Sequence, residues 1–525
     1  KETKIVFYCR ERSGEWKEKF QYVYRPDDYF IKHENRMSYS SFDVLISGTA
    51  DKKVDIVLTT PPFSLKENFG LLDFVGQYGP PMSLLYLAST LEEAGVITRV
   101  VDLSCETKSL EECAEYIVCI KPDFVGVAVH FTFLVNKSLS LIRLIKKLYP
   151  KIKIIVGGVH FTALPEKTMN ECPEIDIGIR GEAEEAIVKV IKCLKEGSGL
   201  NNIKGVIFRS RGELIKVEGS NSIDDINKLP FPLFEKIDLS RYSFAIYKEK
   251  RSITFPITTS RGCSFACTFC DRSVLGSKIR FYSIDYLSKM INVLIKEFKI
   301  NCFDIEDENI CITQNRFKDI CKLFKDIFLK YNITWHSSMR ADSVNRNTAK
   351  TLYDSGCRSI AFGIESGSQQ MLNIYNKKLN ISEMPEKCKI IRDAGITLAG
   401  SLIIGGPGED QESISDTINL LKSIEMDYMY LWYFVPFPGS PICKDIESKG
   451  MLVGDYSNMT GHGVSFIPNA LSRKQLESAY RKIYRVFYSK PSVILMMVKK
   501  NSLTGILRFF KNGVKYLCRF ILKLK

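Results

Sequence analysis

Three cysteines near the middle of the chain have the residue type and spacing of a metal-binding loop. Cys263, Cys267 and Cys270 fall within eight residues, directly after an apolar run typical of a β-strand. Thiolates are the usual ligands of iron–sulfur clusters, and a loop of this length can wrap three of them round one centre. A structural zinc site normally adds a fourth Cys or His. The nearby Cys302 and Cys311 lie in or beside an apolar strand that would bury them, so the pattern favours a cluster with one open iron.

Six apolar runs around and after these cysteines predict the element that positions them. They lie near residues 254–259, 302–306, 333–337, 359–364, 397–404 and 428–435, with helical patterns between them. Successive β/α units of this kind predict a partial parallel (β/α)6 barrel, whose chemistry sits at the carboxyl ends of its strands.

Polar residues and glycines follow five of these strands. The candidates, in strand order, are Glu306 and Glu308, Ser337 and Arg340, Glu365, Gly405 and Gly406, and the segment 436–441. Each could be a solvated loop or a plain turn. Because all five loops fall at one barrel mouth, we expect them to form a site.

The preceding half of the chain predicts a second α/β unit. Its strand patterns lie at 54–58, 98–102, 124–128, 152–156 and 176–179, with helical stretches between them. This alternation predicts a doubly wound, flavodoxin-like (Rossmann-like) sheet with a ligand crevice beyond the strands' carboxyl ends. The loops at those ends contain glycines that allow close approach of a ligand, although tight βα turns would explain them equally well.

The Cys-x3-Cys-x2-Cys spacing, with Phe269 before the last cysteine, resembles the signature of the radical S-adenosylmethionine (SAM) superfamily. The resemblance implies a [4Fe–4S] cluster whose open iron binds the amino and carboxylate groups of SAM. One electron then splits the sulfonium to give a 5′-deoxyadenosyl radical. The residues expected to contact SAM are Phe269, Glu306, Glu308, Ser337, Arg340, Glu365, Gly405 and Gly406.

Over roughly residues 53–490 the chain is similar to the cobalamin-dependent class of that superfamily. This class includes hopanoid, phosphinate and natural-product C-methyltransferases and the anaerobic magnesium-protoporphyrin ester cyclase. The resemblance is carried by segments 61–62, 79–83, 157–160, 181–184, 363–367 and 436–439. It implies cobalamin binding by Pro61, Thr132, Gly157, Gly158, His160, Gly181 and Glu182.

One feature of other cobalamin proteins, the Asp-x-His-x-x-Gly motif that supplies a cobalt-ligating histidine, is absent here, as is common in this class. His130 and His160 lie at the appropriate strand ends, where a lone histidine is more often an ordinary hydrogen-bonding group.

The expected organisation has five parts, since 525 residues exceed what one core normally organises. Residues 1–50 form an extension without an assigned role, and 51–215 a cobalamin-binding-like domain. Residues 216–250 are expected to be a linker, 251–450 the radical SAM barrel, and 451–525 a helical, basic C-terminal region.

The resemblance implies an enzyme that uses the radical, with methylcobalamin as methyl donor, to methylate or otherwise functionalise an unactivated carbon. A corrinoid-free radical SAM enzyme and a non-catalytic cluster or corrinoid module are the alternatives. Expected partners are a small-molecule or lipid substrate and an external electron donor of flavodoxin or ferredoxin type. No nucleic-acid recognition motif accompanies the net charge of +14. We assign no catalytic residue.

Sixteen cysteines, mostly single within apolar runs, suit a reducing cytoplasm, and no signal peptide is visible. The segment from Lys499 to Lys525 has eight Lys or Arg and no acidic residue. Packing of this segment on the barrel is favoured, and the alternative is peripheral contact with the inner face of a membrane.

Overall fold

The computed structural model describes residues 3–10, 16–24, 53–69, 78–106, 108–242 and 254–500. The described residues of the N-terminal extension, for which no role is predicted, form two strands. β1 (Thr3–Arg10) and β2 (Trp16–Tyr24) pair antiparallel, with a register shift between Phe7 and Tyr8.

The next unit is a seven-stranded sheet. Its strands are β3 (Ile56–Thr60), β4 (Thr98–Asp102), β5 (Phe124–Ala128), β6 (Lys153–Gly157), β7 (Ile177–Ile179), β8 (Val206–Ser210) and β9 (Glu213–Lys216). They run in the order β4-β3-β5-β6-β7-β8-β9. The first five are parallel, which confirms the flavodoxin-like arrangement. The antiparallel pair β8–β9 extends the sheet and was not predicted.

Helices cover this sheet because its central strands are apolar on both faces, as in β3, where four of five residues are buried. The helices are α1 (Leu65–Phe69), α2 (Met82–Glu93), α3 (Leu110–Cys119), α4 (Val135–Leu148), α5 (Val159–Ala163), α6 (Pro165–Glu171) and α7 (Glu184–Glu196). A capping box between Ser109 and Glu112 begins α3, and Gly197 in the left-handed conformation ends α7.

The second unit is a six-stranded parallel sheet with a small ribbon. The strands are β10 (Thr254–Ile257), β11 (Ser260–Arg261), β12 (Arg280–Phe281), β13 (Cys302–Ile305), β14 (Thr334–Met339), β15 (Cys357–Glu365), β16 (Thr397–Ile404) and β17 (Tyr428–Tyr433). The parallel sheet runs β10-β13-β14-β15-β16-β17, and β11 pairs antiparallel with β12 as a separate ribbon. The sequential order confirms the partial barrel.

The helices of the barrel are α8 (Ile284–Lys296), α9 (Gln314–Phe328), α10 (Arg346–Asp354), α11 (Gln369–Ile374), α12 (Met384–Asp393) and α13 (Gln411–Ser423). Burial alternates strictly along β17: Met429, Leu431 and Tyr433 are buried, while Tyr428 and Trp432 are half-buried. This period of two separates a face packed on the helices from a face turned to the lumen.

Residues between the two sheets pack into the main core. Ile226, Leu229 and Phe234 are buried, and the Phe234 ring meets Phe255 of β10 edge-on at 5.3 Å. The described part of the segment expected to be a linker therefore forms a packed layer.

The chain after the barrel contains α14 (Ile446–Lys449), β18 (Gly450–Leu452), β19 (Phe466–Pro468), α15 (Arg473–Tyr488) and α16 (Pro491–Lys500). Tyr480 of α15 stacks on Tyr433 of β17 at 4.5 Å, which joins this helical region to the barrel. The described residues include no helix long and apolar enough to cross a membrane. The predicted basic segment lies almost wholly outside the described residues.

Candidate active site

The three cysteines lie on one hairpin loop. Residues 262–279, here named the cluster loop, connect β11 to β12, so the ribbon closes the loop at its base. Gly262 begins the loop with φ +91°, and a Cβ there would lie 2.4 Å from the Lys278 carbonyl oxygen. Only glycine permits both that conformation and that approach.

Backbone contacts hold the cluster loop over the barrel mouth. The Thr268 amide donates to the Tyr375 carbonyl at 2.9 Å, and the Ile442 amide donates to the Thr268 carbonyl at 2.8 Å. Asn376 Nδ2 donates to the Ala266 carbonyl at 2.9 Å. These partners follow β15 and β17, so the loop lies at the carboxyl ends of the barrel strands, as predicted.

The three thiols of the cluster loop are partly or fully enclosed by protein. Cys267 is buried, and Cys263 and Cys270 are half-buried. Burial raises the pKa of Cys263 and raises that of Cys270 to about 12, and the neighbouring thiols add to both shifts. A metal's positive charge reverses this preference and stabilises thiolates.

The described residues contain no group of three or more Cys, His, Asp or Glu arranged to hold a single metal ion. Cys302 and Cys311 are buried in the core, as expected, and add no fourth ligand to the loop. Three thiols on one short loop are the usual protein ligands of a [4Fe–4S] cluster with one open iron, whereas a structural zinc site takes a fourth Cys or His.

The acidic residues after β13 lie in two different environments. Glu306 and Glu308 are exposed, whereas Asp307 is buried. Asp307 accepts hydrogen bonds from Thr259 Oγ1 at 2.6 Å and Ser260 Oγ at 2.8 Å, and also from both backbone amides. Asp307 thus anchors the chain just before the cluster loop. Burial and the neighbouring Asp307 raise the pKa of the Glu308 carboxyl.

Arg340 has the chemistry of an anion site at the mouth. Its guanidinium lies 4.0 Å above the Phe265 ring of the cluster loop and donates to Asp342 Oδ2 at 2.7 Å. A further bond runs from Nη2 to the Lys377 carbonyl at 2.7 Å. Nη1 is buried without a protein partner. A carboxylate such as that of SAM would satisfy this donor.

Three other predicted SAM contacts are already engaged within the protein. Ser337 is buried and donates to the Ile305 carbonyl at 2.9 Å, while the adjacent Ser338 is exposed. Phe269 packs edge-on against Tyr375 at 5.3 Å. Glu365 pairs with buried Lys377 at 2.8 Å.

Glu365 is strained as well as paired. Its φ of +65° is unusual for a residue other than glycine, and the β15–β16 register shifts between Gly363 and Glu365. Strained backbone conformations are concentrated at functional sites. The register shift beside Glu365 changes the direction of its side chain at the end of β15.

Gly405 and Gly406 face protein. The buried Glu409 carboxyl accepts a hydrogen bond from the Gly405 amide, and a Cβ on Gly406 would lie 2.0 Å from the Tyr375 hydroxyl. Burial raises the pKa of Glu409 to about 8. Because the Gly405 amide is already bonded and Tyr375 crowds Gly406, adenine contact through these glycines stays a prediction that this arrangement does not favour.

The predicted cobalamin contacts Thr132 and His160 bond to each other. His160 Nδ1 lies 3.3 Å from Thr132 Oγ1, and the His160 ring meets Tyr456 at 4.9 Å. His160 is 1% exposed, and burial lowers its pKa to about 4. Pro61 is likewise buried, directly after β3. His160 is therefore enclosed by protein rather than presented to the crevice.

The glycine turns of this sheet are required by its own packing. Gly157 ends β6, and Gly158 follows with φ +105°, where a Cβ would lie 2.8 Å from the Val129 carbonyl oxygen. At Gly181, with φ +80°, a Cβ would lie 2.2 Å from the Asn221 carbonyl oxygen. Tight turns explain these positions, and contact with cobalamin stays a prediction.

Glu182 is placed differently from the prediction. Its side chain is 2% exposed and ion-paired with two arginines of the β11–β12 ribbon, Arg261 and Arg280. A buried carboxylate neutralised by two guanidiniums is a structural group rather than a contact for propionamides. Neither arginine is among the residues predicted from the sequence, although Arg261 stands two residues before Cys263.

Aromatic side chains are exposed at the carboxyl edges of both sheets. Phe131 after β5 is 49% exposed, and Phe437 after β17 is 40% exposed. His130 is also exposed, and its ring meets that of Phe131 edge-on at 4.8 Å. Phe131 and His130 lie at the carboxyl edge of the doubly wound sheet, which is the edge where sheets of this kind bind their ligands.

Comparisons with known proteins agree with this arrangement. Residues 70–191 match the B12 binding domain family, and residues 257–421 match the Radical SAM superfamily. An uncharacterized methyltransferase of Pyrococcus horikoshii is 27% identical over 469 residues, which cover 87% of this chain and 99% of that protein.

Two solved structures share the fold. The radical SAM methyltransferase TsrM of Kitasatospora setae, with cobalamin and a [4Fe–4S] cluster bound, superposes with a TM-score of 0.65 at 15% identity. That match covers 84% of this chain and 92% of TsrM. The cobalamin-dependent SAM radical enzyme OxsB gives a TM-score of 0.67 at 17% identity, covering 90% of this chain and 72% of OxsB.

Proposed function

Because the chain belongs to the cobalamin-binding class of the radical SAM superfamily, we propose that it methylates, or otherwise functionalises, an unactivated carbon of a small-molecule or lipid substrate. The observation that carries the proposal is the cluster loop, which holds three thiols over the mouth of the barrel beside the edge of the cobalamin-binding sheet. An external electron donor of flavodoxin or ferredoxin type completes the proposed system.

Each part of the mouth has a task in this proposal. Cys263, Cys267 and Cys270 hold the cluster, and the free Nη1 of Arg340 receives the carboxylate of SAM. Glu306 or Glu308, exposed at the same mouth, accepts hydrogen bonds from its ammonium group. When bound, the cluster supplies the electron that cleaves SAM, and cobalamin carries the methyl group.

The overall balance is that one C-methylation replaces a substrate hydrogen by a methyl group and consumes two SAM molecules and two electrons. One SAM gives 5′-deoxyadenosine and methionine, and the other gives S-adenosylhomocysteine. The electrons come from the external donor.

The test compares two cysteines after anaerobic cluster reconstitution in the presence of hydroxocobalamin. Cys267→Ala removes a proposed ligand, and the control Cys321→Ala removes a buried thiol of α9. With a reductant and SAM, wild type and the control are expected to form 5′-deoxyadenosine, whereas Cys267→Ala forms none. Wild type is also expected to retain the corrinoid spectrum through gel filtration.

Each departure from these results points to a different alternative. A Cys267→Ala protein that still cleaves SAM overturns the cluster assignment. Cleavage by a wild-type protein that retains no corrinoid indicates a corrinoid-free radical enzyme. A cluster with no 5′-deoxyadenosine indicates a non-catalytic module.

A further inference from the structure

A buried network of charges joins the cobalamin-binding sheet to the base of the cluster loop. It consists of Glu182, two residues before α7, Glu184, the first residue of α7, and Arg261 and Arg280, which face each other across the β11–β12 ribbon. Their side chains are 2%, 9%, 10% and 4% exposed, respectively. Two cations and two anions make the network neutral, as a buried network must be.

Glu182 contacts both arms of the loop at once. Its Oε1 accepts a hydrogen bond from Arg261 Nη1 at 2.9 Å, and its Oε2 accepts one from Arg280 Nη1. Glu184 Oε1 gives Arg261 a second acceptor at 2.7 Å. Arg261 precedes Cys263 by two residues, so one carboxylate fixes the strand that enters the loop and the strand that leaves it.

The surroundings leave the network little freedom to move. The Arg261 guanidinium lies 5.0 Å above the Tyr86 ring of α2, which also belongs to the cobalamin-binding sheet's helical layer. The Ile223 amide donates to Glu182 Oε2 at 2.9 Å, and Arg280 Nη1 donates to the Ile223 carbonyl at 2.6 Å. Buried charged groups that lose a partner are strongly unfavourable, so the network selects one arrangement of the two units.

We propose that Glu182, Glu184, Arg261 and Arg280 are positioning residues that set the cluster loop at a fixed distance from the cobalamin-binding sheet. The reason is chemical: the proposed reaction uses two cofactors on two sheets, and both must reach one substrate carbon. The inference rests on the proposed function for its purpose, but the fixing of the loop is measurable without turnover.

The first measurement is hydrogen–deuterium exchange of residues 260–281 in the full chain, before and after cluster reconstitution. Glu182→Gln keeps the size of the side chain and removes its charge. Exchange in this variant is expected to be about tenfold faster or more, since loss of a buried charged hydrogen bond shifts an equilibrium by over a decade. The matched control is Glu166→Gln, which removes the exposed ion pair of Glu166 with Lys216. It is expected to exchange as wild type does.

The second measurement reports geometry. In protein holding cob(II)alamin and the reduced cluster, the magnetic interaction between the two centres gives a distance distribution by pulsed electron paramagnetic resonance. Wild type and Glu166→Gln are expected to give one narrow distribution, and Glu182→Gln a broader or displaced one. If the network only stabilised the fold, Glu182→Gln would lower the free energy of unfolding and leave the distance distribution unaltered.

Glu184→Gln supplies a milder perturbation, because Glu182 still bridges both arginines. If Glu182→Gln does not fold or does not bind its cofactors, the same two measurements on Glu184→Gln test whether the network positions the cluster loop. Exchange and distance distributions identical to wild type in every variant that folds would overturn the inference. A wild-type protein that binds no corrinoid would instead overturn the proposed function, while the exchange result would still stand.

Discussion

Replacement of Gly262 by alanine tests whether the cluster loop depends on a single crowded turn. Gly262 has φ +91°, and an added Cβ would lie 2.4 Å from the Lys278 carbonyl oxygen. Gly276, in the same loop, also has a positive φ, +70°, but a Cβ there would meet no atom within 4 Å. Gly276→Ala is therefore a matched control that carries the backbone strain without the clash.

The expected loss of stability has two contributions, the backbone strain and the clash. A left-handed conformation disfavours alanine by about 1–2 kcal/mol in both variants. Overpacking against a backbone atom adds roughly 1–3 kcal/mol in Gly262→Ala alone. Lys278 cannot rotate its carbonyl away cheaply, because the ribbon pairing of Arg261 with Arg280 fixes the base of the loop. The clash alone therefore shifts the equilibrium away from the native conformation of the cluster loop by roughly 5- to 150-fold.

The assay is iron and sulfide content per chain after anaerobic reconstitution, with circular dichroism to establish that both variants fold. Gly262→Ala is expected to lose most of its cluster, and Gly276→Ala to retain it. Equal cluster content in the two folded variants would refute the reasoning, because the crowding at Gly262 would then have no consequence for the ligands.

Two further changes test buried carboxyls near the mouth. Asp307→Asn leaves at least one of the donors on Thr259 and Ser260 without an acceptor. The free energy of unfolding, measured with urea, is therefore expected to fall by about 1.5–3 kcal/mol. An unchanged free energy of unfolding would contradict the anchoring role of Asp307. The raised pKa of Glu409, about 8 against 4.5, favours the native state most at low pH, and this contribution is lost as the pH rises from about 5 through 8. The unfolding free energy of wild type is therefore expected to decline relative to that of Glu409→Gln over that range. Parallel pH profiles of the two proteins would contradict a raised pKa of Glu409 in the native state.

The sequence was sufficient for features that depend on local spacing. Cys263, Cys267 and Cys270 lie close together along the chain, so their common loop needed no tertiary information. The parallel sheets followed from the alternation of strand and helix patterns, because only crossover connections can join parallel strands. The hairpin β8–β9 escaped prediction because its strands are short and only partly buried.

The exact roles of neighbouring residues at the mouth required the structure. Asp307 and Ser337 point into the protein while Glu306, Glu308 and Ser338 are exposed, a difference of one position in a strand-like pattern of period two. Composition identifies such a segment as polar. A predicted strand register that is one residue off, however, assigns each side chain to the opposite face of the sheet.

The sequence by itself indicated the iron–sulfur chemistry, because the type and spacing of Cys263, Cys267 and Cys270 are local properties of the chain. Only the tertiary structure decided what Glu182 does. Its partners Arg261 and Arg280 are 79 and 98 residues away, and the closeness of these groups exists only after both sheets have formed. A carboxylate beside a glycine turn has the same sequence pattern whether it faces a cofactor or an arginine, and the packing of the second sheet against the first distinguishes the two.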